Sequence, residues 1–455
     1  MELHPILDLG IAPNPGLWYV MSALGDHPSI RVGHTLTYIP SSSGHSGKVY
    51  VIGGANPSTT FGEVFTLNLE TFSWDICDHP GLKPRYEHSA FIGSSDSEKI
   101  YVFGGADQSQ NHNDIQVYDT KSQTWSVVTP GGTPPSPRTY HNAVCDGDRF
   151  IVYSGGQSGA DPVGDRQIHC YSILSNSWSI LTVHGDSPKP RHGHLVATVG
   201  NKLIIHGGMS GTTFYDDLHV LDLDRSCWIK IKQKKGYPSA RAAHSGAILD
   251  KDLYIFGGMN RDGALDDFYK LDTDTYKWSR MILEGPAPAC RLDMAMCVVR
   301  LRTSVTAPQV QDTVAASVQA KDILDSQLRL SSAGSRHSMS GSIGTPSSAG
   351  SVRSISSSTG VAAVHDLITE GVGLNCTPDL SPTITSEHSQ IARQNSSLSC
   401  SDQSPHKFVD MALIFGGMDT EGEIFDDVLV YLLKEEQEVA ERGGETGEEN
   451  SDAKS

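Results

Sequence analysis

The stretch KIYVFGGA, residues 99–106, joins an alternating apolar run to a glycine pair, and similar stretches recur along the 455-residue chain. The other copies read KVYVIGGA, RFIVYSGGQ, KLIIHGGM, DLYIFGGM and ALIFGGM. The second glycines of the first five copies are spaced by 51, 51, 52 and 50 residues, which indicates a repeat architecture. The glycine pairs are Gly53 and Gly54, Gly104 and Gly105, Gly155 and Gly156, Gly207 and Gly208, Gly257 and Gly258, and Gly416 and Gly417.

Two further signals repeat with the glycine pairs. A tryptophan follows each of the first five pairs by 20 to 22 residues, and Trp18 precedes the first pair. An Arg-x-x-His motif opens each of the first five units, and the sixth has Met294 in place of the histidine. Each unit therefore predicts four short strands. The following tryptophans are Trp74, Trp125, Trp178, Trp228 and Trp278, and the motif pairs are Arg31/His34, Arg85/His88, Arg138/His141, Arg191/His194 and Arg241/His244.

The spaced glycine pair and tryptophan resemble the kelch repeat. The resemblance implies an all-β fold, a six-bladed β-propeller in which each repeat forms a blade. A blade buries both faces only against its neighbours, so a closed ring is required. The sixth glycine pair lacks a following tryptophan, and we expect the N-terminal segment with Trp18 to supply the outermost strand of the last blade.

The Arg-x-x-His motif could be interpreted as an acid/base pair, but five copies around a ring favour a structural role. We expect these side chains to satisfy backbone carbonyls at each blade entry. The long loops after the glycine pairs and the interblade links should emerge on one face of the propeller, where variable loops favour partner binding. The candidate partner-facing residues are Tyr86, Tyr140, His192, Phe214, Tyr215 and Arg261.

The predicted domain organisation interrupts the last blade. Residues 1–302 should hold the closing strand, blades one to five and the first strand of blade six, and residues 408–433 the rest of that blade. Residues 303–407 are rich in serine and contain no Phe, Tyr or Trp, so we expect a disordered insert. Its Ser-Pro and Thr-Pro dipeptides are candidate phosphorylation sites or chance features of a tether. Residues 434–455 should form an acidic disordered tail.

Composition excludes several classes of function. The net charge of −18 would repel nucleic acid and anionic lipid. The eight cysteines show no metal-type spacing, and no apolar run is long enough to enter a membrane. We therefore expect no catalytic residue, no metal site and no cofactor.

The loops carry a narrower resemblance. RVGHTLTYIP, GLKPRYEHSAF, FYDDLHVLDL and FGGMDTEGEIFDDV are similar to kelch proteins that act as effectors of a late-endosomal Rab GTPase. The resemblance implies binding to the GTP-bound Rab, an endosomal phosphoinositide kinase as a further partner, and return of mannose-phosphate receptors to the trans-Golgi network. It also implies a cytoplasmic protein recruited peripherally to late-endosome and trans-Golgi network membranes.

Two alternatives remain. One is a substrate-recognition adaptor, although the residues before blade one leave no room for an oligomerisation domain. The other is a metal-dependent kelch enzyme, which needs converging ligands on one face. The available carboxylates recur at equivalent loop ends, where capping of turns is the simpler interpretation. The candidate ligands are His112, Asp114, Asp216, Asp217, Asp266, Asp267, Asp426 and Asp427.

Overall fold

The computed structural model describes residues 4–77, 81–159, 161–231, 236–304 and 406–435. The described residues form strands and no helix, and most of the strands lie in six large sheets. Five of these sheets are wholly antiparallel. The first strand of each sheet contacts the first strand of the next, and the sixth contacts the first. The sheets thus surround a common axis, and the predicted six-bladed propeller is confirmed.

Five blades are consecutive four-stranded meanders. Blade one comprises Thr35–Ile39, Lys48–Ile52, Val64–Asn68 and Ser73–Ile76; blade two Ser89–Gly93, Asp96–Phe103, Ile115–Asp119 and Thr124–Val128; blade three Ala143–Asp146, Arg149–Tyr153, Ile168–Ser172 and Ser177–Leu181. Blade four comprises Leu195–Val199, Lys202–His206, Leu218–Asp222 and Cys227–Lys230; blade five Ser245–Leu249, Asp252–Phe256, Phe268–Asp272 and Lys277–Arg280. Two-residue or three-residue strands form ribbons in four of the post-glycine loops: Ala55–Asn56 with Thr59–Thr60, Gly156–Ser158 with Asp161–Pro162, Met209–Ser210 with Thr213–Phe214, and Met259–Asn260 with Gly263–Ala264.

Blade six is assembled from both ends of the described chain. Ala295–Ser304, His406–Phe415 and Val428–Glu435 are followed in space by Trp18–Met21, which pairs antiparallel with the third of these strands. The predicted closure is therefore confirmed. A fifth strand, Ile6–Leu7, which the sequence analysis missed, pairs parallel with Trp18–Met21 and covers the open sheet edge.

The cores lie between blades rather than within them. The Trp178 ring lies 5.1 Å from Phe103 of the preceding blade, and the Trp74 ring lies 5.8 Å from Phe415 of blade six. Each tryptophan thus supplies apolar area that two sheets share. Trp125 is only half-buried, and it packs against a cluster that joins Tyr50 and Ile52 of blade one to Tyr118 of its own blade.

Both glycines adopt left-handed backbone conformations in five of the six pairs. A Cβ on Gly258 would stand 2.6 Å from the Ala242 carbonyl oxygen, so the close approach of the interblade link requires glycine. Blade three corrects the sequence alignment. There Ser154 and Gly155 hold the two left-handed positions, with φ of 53° and 114°. Gly156 instead follows the pair and bridges Thr139.

Strands of blade six extend into both ends of the segment that the sequence analysis assigned to the insert. The first strand of blade six runs to Ser304 and the second begins at His406, with Thr303 opposite Lys407. The third strand extends to Glu435, past the predicted start of the tail. The predicted disorder and phosphorylation sites of the insert and tail lie outside the described residues. No helix long and apolar enough to cross a bilayer occurs in the ranges that the structure describes.

Candidate functional site at the loop face

The recurrent arginine is a buried structural residue. Arg31 donates through Nη1 to the Gly53 carbonyl oxygen at 2.9 Å and through Nε to the Ser29 carbonyl oxygen at 3.0 Å. The same guanidinium contacts a carboxylate at the start of the third strand, and this charge-assisted pairing is repeated in every blade. The pairs are Arg31–Glu63, Arg85–Asp114, Arg138–Asp165, Arg191–Asp217, Arg241–Asp267 and Arg291–Asp427. For the arginines of the motif, the prediction that they satisfy blade-entry carbonyls is confirmed.

The same pairs correct the interpretation of the Asp-rich loop ends. In each Asp-Asp dipeptide, the second aspartate forms an ion pair with a buried arginine instead of capping a turn. Asp267, for example, lies 2.5 Å from Arg241. His112 contacts Asp107 at 3.0 Å, and Asp216, Asp266 and Asp426 are exposed in separate loops. No group of three or more His, Cys, Asp or Glu side chains suited to a metal ion converges in the part of the chain that the structure describes.

The recurrent histidine packs against the preceding blade. The His34 ring meets Phe415 edge-on at 5.2 Å, and His141 meets Phe103 at 5.3 Å. Burial, with a contribution from Arg31 and Arg138, lowers the pKa of both imidazoles to about 3. Met294 replaces this ring with an apolar side chain in the Trp18 core cluster, so the exception to the motif is a packing substitution.

One residue of each motif forms the innermost layer of the propeller, which we call the hub ring. Its members lie between the arginine and the histidine, and all six have φ between 47° and 63°. Backbone N–H groups donate around this ring, for example from Glu87 to the Gly33 carbonyl at 2.6 Å and from Gly33 to the Asp293 carbonyl at 3.3 Å. The hub ring consists of Gly33, Glu87, Tyr140, Gly193, Ala243 and Asp293.

Three hub-ring side chains meet across the axis. The Tyr140 hydroxyl, from the entry to blade three, donates to Oδ2 of Asp293 at the entry to blade six, on the opposite side. The Thr139 hydroxyl donates to Oε2 of Glu87. The Glu87 side chain is buried, with 7% of its surface exposed, and its Oε1 has no hydrogen-bond partner among the described residues.

The electrostatics of these groups follow from burial and from one another. Burial first, and then the charge of Asp293, raise the pKa of Glu87 well above its usual value. Burial raises the pKa of Asp293 to about 7. The pKa of Tyr140 is also raised, by burial and by both carboxylates. The three groups therefore lack a compensating positive charge.

An apolar collar surrounds the hub ring at the end where the post-glycine loops and the interblade links emerge, which we call the loop face. Val32 bridges Ala55, and Leu292 bridges Met418, so each link is tied to the loop of its own blade. The collar consists of Val32, Ala55, Tyr86, Ala106, Met209, Ala242, Ala243, Met259, Leu292 and Met418, with Tyr140 packed against it. A central cavity of about 430 Å³ continues from the hub ring along the first strands.

The six candidate partner-facing residues differ in how much of their surface is exposed. Tyr86 and His192 are buried, with 1% and 0% of their surfaces exposed, and present no surface to a partner in this structure. Tyr140 points into the hub, and the half-buried Tyr215 ring covers the Arg191 guanidinium at 4.2 Å. Phe214 is half-buried in the same loop, and Arg261 is exposed.

The sequence analysis missed the hub ring. The signal is visible in retrospect, because the third position of Arg-x-x-His is small in three units and Glu, Tyr or Asp in the others. A bulky polar residue at a position that is otherwise Gly or Ala indicates a side chain directed at the axis.

The repeated arginines and carboxylates pair with each other inside the blades and are not available for chemistry. The structure is therefore a repeat-propeller scaffold with one loop-bearing face. This chain belongs to the kelch-repeat family: the family model described as the KLHDC2/KLHL20/DRC7 Kelch-repeats domain matches residues 33–258 and 154–307. The resemblance to the kelch repeat is thus confirmed.

Curated relatives share part of the chain. It is 44% identical over 220 residues to a Bos taurus protein named Rab9 effector protein with kelch motifs, covering 48% of this chain and 59% of that protein. It is 42% identical to the Homo sapiens protein of that name, covering 48% and 59%. It is also 30% identical over 210 residues to the Arabidopsis thaliana Acyl-CoA-binding domain-containing protein 4, covering 44% and 31%. The chain therefore spans about three fifths of the length of the first relatives.

Proposed function

We propose that this protein is a non-catalytic Rab effector that binds a GTP-loaded late-endosomal Rab. The observation that carries the proposal is the 44% identity to a protein named Rab9 effector protein with kelch motifs. Sequence identity over the propeller blades shows that the fold is shared, whereas a binding function depends on the loops and the site. The similarity of the loop sequences to those of kelch Rab effectors therefore gives additional support to the proposed function.

The loop face is the surface that we assign to the Rab. Its post-glycine loops differ in sequence between blades while the Arg–carboxylate pairs beneath them are constant, so it combines a rigid base with variable contacts. The switch regions of a GTPase are ordered by the γ-phosphate, and a surface that contacts them distinguishes GTP from GDP without touching nucleotide. Arg261 and Phe214 lie in neighbouring loops of this face.

Nucleotide-dependent binding tests the proposal directly. Purified full-length chain is titrated with Rab9 loaded with a non-hydrolysable GTP analogue or with GDP, and the two dissociation constants are compared. We expect at least tenfold tighter binding of the GTP form. Equal affinity for the two forms, or no binding of either, would contradict the effector proposal.

The cellular role follows from that interaction. We propose recruitment from the cytoplasm to late-endosome and trans-Golgi network membranes through the Rab, in support of mannose-phosphate receptor transport, with an endosomal phosphoinositide kinase as a second partner. Depletion of Rab9 should then release the protein from these membranes. Retention on membranes in depleted cells would contradict recruitment through this GTPase.

A further inference from the structure

We propose that the hub ring holds a basic side chain of a partner protein, an arginine whose guanidinium enters between Glu87 and Asp293. This inference rests on the proposed binding function of the loop face and names the chemistry that its centre recognises. The geometry around Gly33 is the starting point.

Gly33 stands between the two acidic residues on the hub ring. Its N–H donates to the Asp293 carbonyl, and its own carbonyl accepts from the Glu87 N–H. A Cβ on Gly33 would lie 2.9 Å from the Glu87 nitrogen and 3.2 Å from its Cγ, so glycine is required where Glu87 packs this closely. Gly33, Glu87 and Asp293 line the central cavity together. Gly193 and Ala243 line the same cavity on the side of the ring beyond Tyr140.

One carboxylate oxygen beside this cavity lacks a hydrogen-bond donor in the part of the chain that the structure describes. Oε1 of Glu87 has no hydrogen-bond partner in the described residues, although 93% of the residue's surface is buried. A buried polar atom without a partner costs about 1–3 kcal/mol, and more when charged. Asp293 receives the Tyr140 hydroxyl, which fixes its carboxylate toward the axis. A guanidinium, with five N–H donors in one plane, suits two carboxylates that flank a gap.

The perturbed titration of the acids supports the same conclusion. The pKa of Glu87 is raised by burial and by the charge of Asp293, which is the behaviour of two carboxylates that share a site without a counter-charge. A bound cation would supply that charge. Two carboxylates without a third ligand are too few for a protein metal site, and no metal-type cluster is found in the described ranges. An organic cation is therefore favoured.

The cavity wall completes the site for an arginine rather than for a free ion. Tyr140, Leu36 and Ala90 line the same cavity as the two acidic side chains, so the methylene stem of a long basic side chain can be buried beside them. The net charge of −18 adds a long-range attraction for a basic partner surface.

The first experiment uses ethylguanidinium as a probe of the arginine head group. Saturation-transfer NMR is recorded with the full-length chain and with the variants Glu87→Gln, Asp293→Asn and Glu421→Gln. We expect saturation transfer with the wild type and with the exposed-loop control Glu421→Gln, and at least a fivefold loss in both hub variants. An equal signal in the hub variants, or no signal with the wild type, would overturn the site. Thermal unfolding of each variant verifies folding, and either hub variant suffices if the other fails to fold.

The second experiment separates this inference from the proposed function. The affinity for GTP-loaded Rab9 is measured with the same four proteins, and we expect Glu87→Gln to weaken it at least tenfold while Glu421→Gln leaves it within twofold. If the wild type binds and both hub variants bind equally well, the inference fails and the effector proposal stands. If the wild type does not bind the Rab, the effector proposal fails, and the probe result still decides whether the hub holds a guanidinium.

Discussion

Trp18 lies opposite Tyr431 across two paired strands, with ring centroids 5.2 Å apart, and this contact joins the beginning of the propeller to its last blade. The Trp18 ring also lies 5.4 Å from Phe256 and 5.3 Å from Phe268 of blade five. The closing strand therefore completes one sheet and fills the interface with the adjacent one.

Truncation of this tryptophan should open the ring. Trp18→Ala removes a side chain with 1% of its surface exposed, and we expect a loss of about 3–5 kcal/mol in the free energy of unfolding. The matched control is Leu24→Ala, because Leu24 is 74% exposed and its truncation should cost about 0.5 kcal/mol or less. Urea unfolding followed by tryptophan fluorescence and circular dichroism gives both values. Similar midpoints for the two variants would contradict closure by Trp18.

The Arg–carboxylate pairs should contribute strongly because one partner is buried. Asp267→Ala leaves the guanidinium of Arg241, which has none of its side-chain surface exposed, without its counter-charge. We expect a cost of about 3 kcal/mol or more, since an uncompensated buried charge dominates. Asp274→Ala breaks the exposed pair with Lys251, which solvent screens, and should cost clearly less. Thermal unfolding of both variants tests the contrast, which equal costs would refute.

Two glycine substitutions distinguish the cost of a left-handed backbone conformation from the cost of a steric clash. Gly258→Ala places a Cβ 2.6 Å from the Ala242 carbonyl oxygen at φ of 88°, whereas Gly211→Ala, at φ of 54°, meets nothing within 4 Å. The control should cost about 1–2 kcal/mol for left-handed strain alone. We expect Gly258→Ala to cost clearly more in chemical denaturation, because the interblade link must also move. A cost no larger than that of Gly211→Ala would show that contact is unimportant here.

Acidification should destabilise the propeller through its buried histidines. The pKa of His34 and of His141 is about 3 in the folded state, below the unfolded value of about 6.5. Between these values the unfolded chain binds protons that the folded chain does not. Stability is therefore intact above about pH 6.5 and falls as the pH decreases, by up to about 1.4 kcal/mol per pH unit for each histidine.

Asp293 acts in the opposite direction. Its folded pKa of about 7 lies above the unfolded value of about 3.9, so this carboxyl adds stability as the pH falls between the two.

The histidine effect can be tested with His34→Met, which places at position 34 the residue type that Met294 has in the sixth unit. This variant should reduce the loss of unfolding free energy on acidification by up to the contribution of one histidine. The measurement is the free energy of unfolding at pH 7.5 and 5.0, with His27→Met on an exposed link as control. Unchanged pH dependence in His34→Met would contradict the assignment.

The sequence determined the ring, its blade number and its closure. The glycine pairs, the tryptophans and the alternating strands each occur once per blade, because every blade has the same local packing and turn requirements. Trp18, which precedes the first glycine pair, could therefore be assigned by counting to the blade that lacks a tryptophan. The alignment of the glycine pairs was wrong in blade three. There Ser154 and Gly155 adopt the left-handed conformations that the repeat pattern assigned to Gly155 and Gly156.

Only the tertiary structure decided the hub. Tyr140 and Asp293 are 153 residues apart and meet because blades three and six face each other across the axis. No local pattern encodes that meeting, since it depends on the number of blades and the width of the ring. The burial of Tyr86 and His192 has the same kind of cause, because it depends on the packing of neighbouring blades and loops rather than on the motif that contains them.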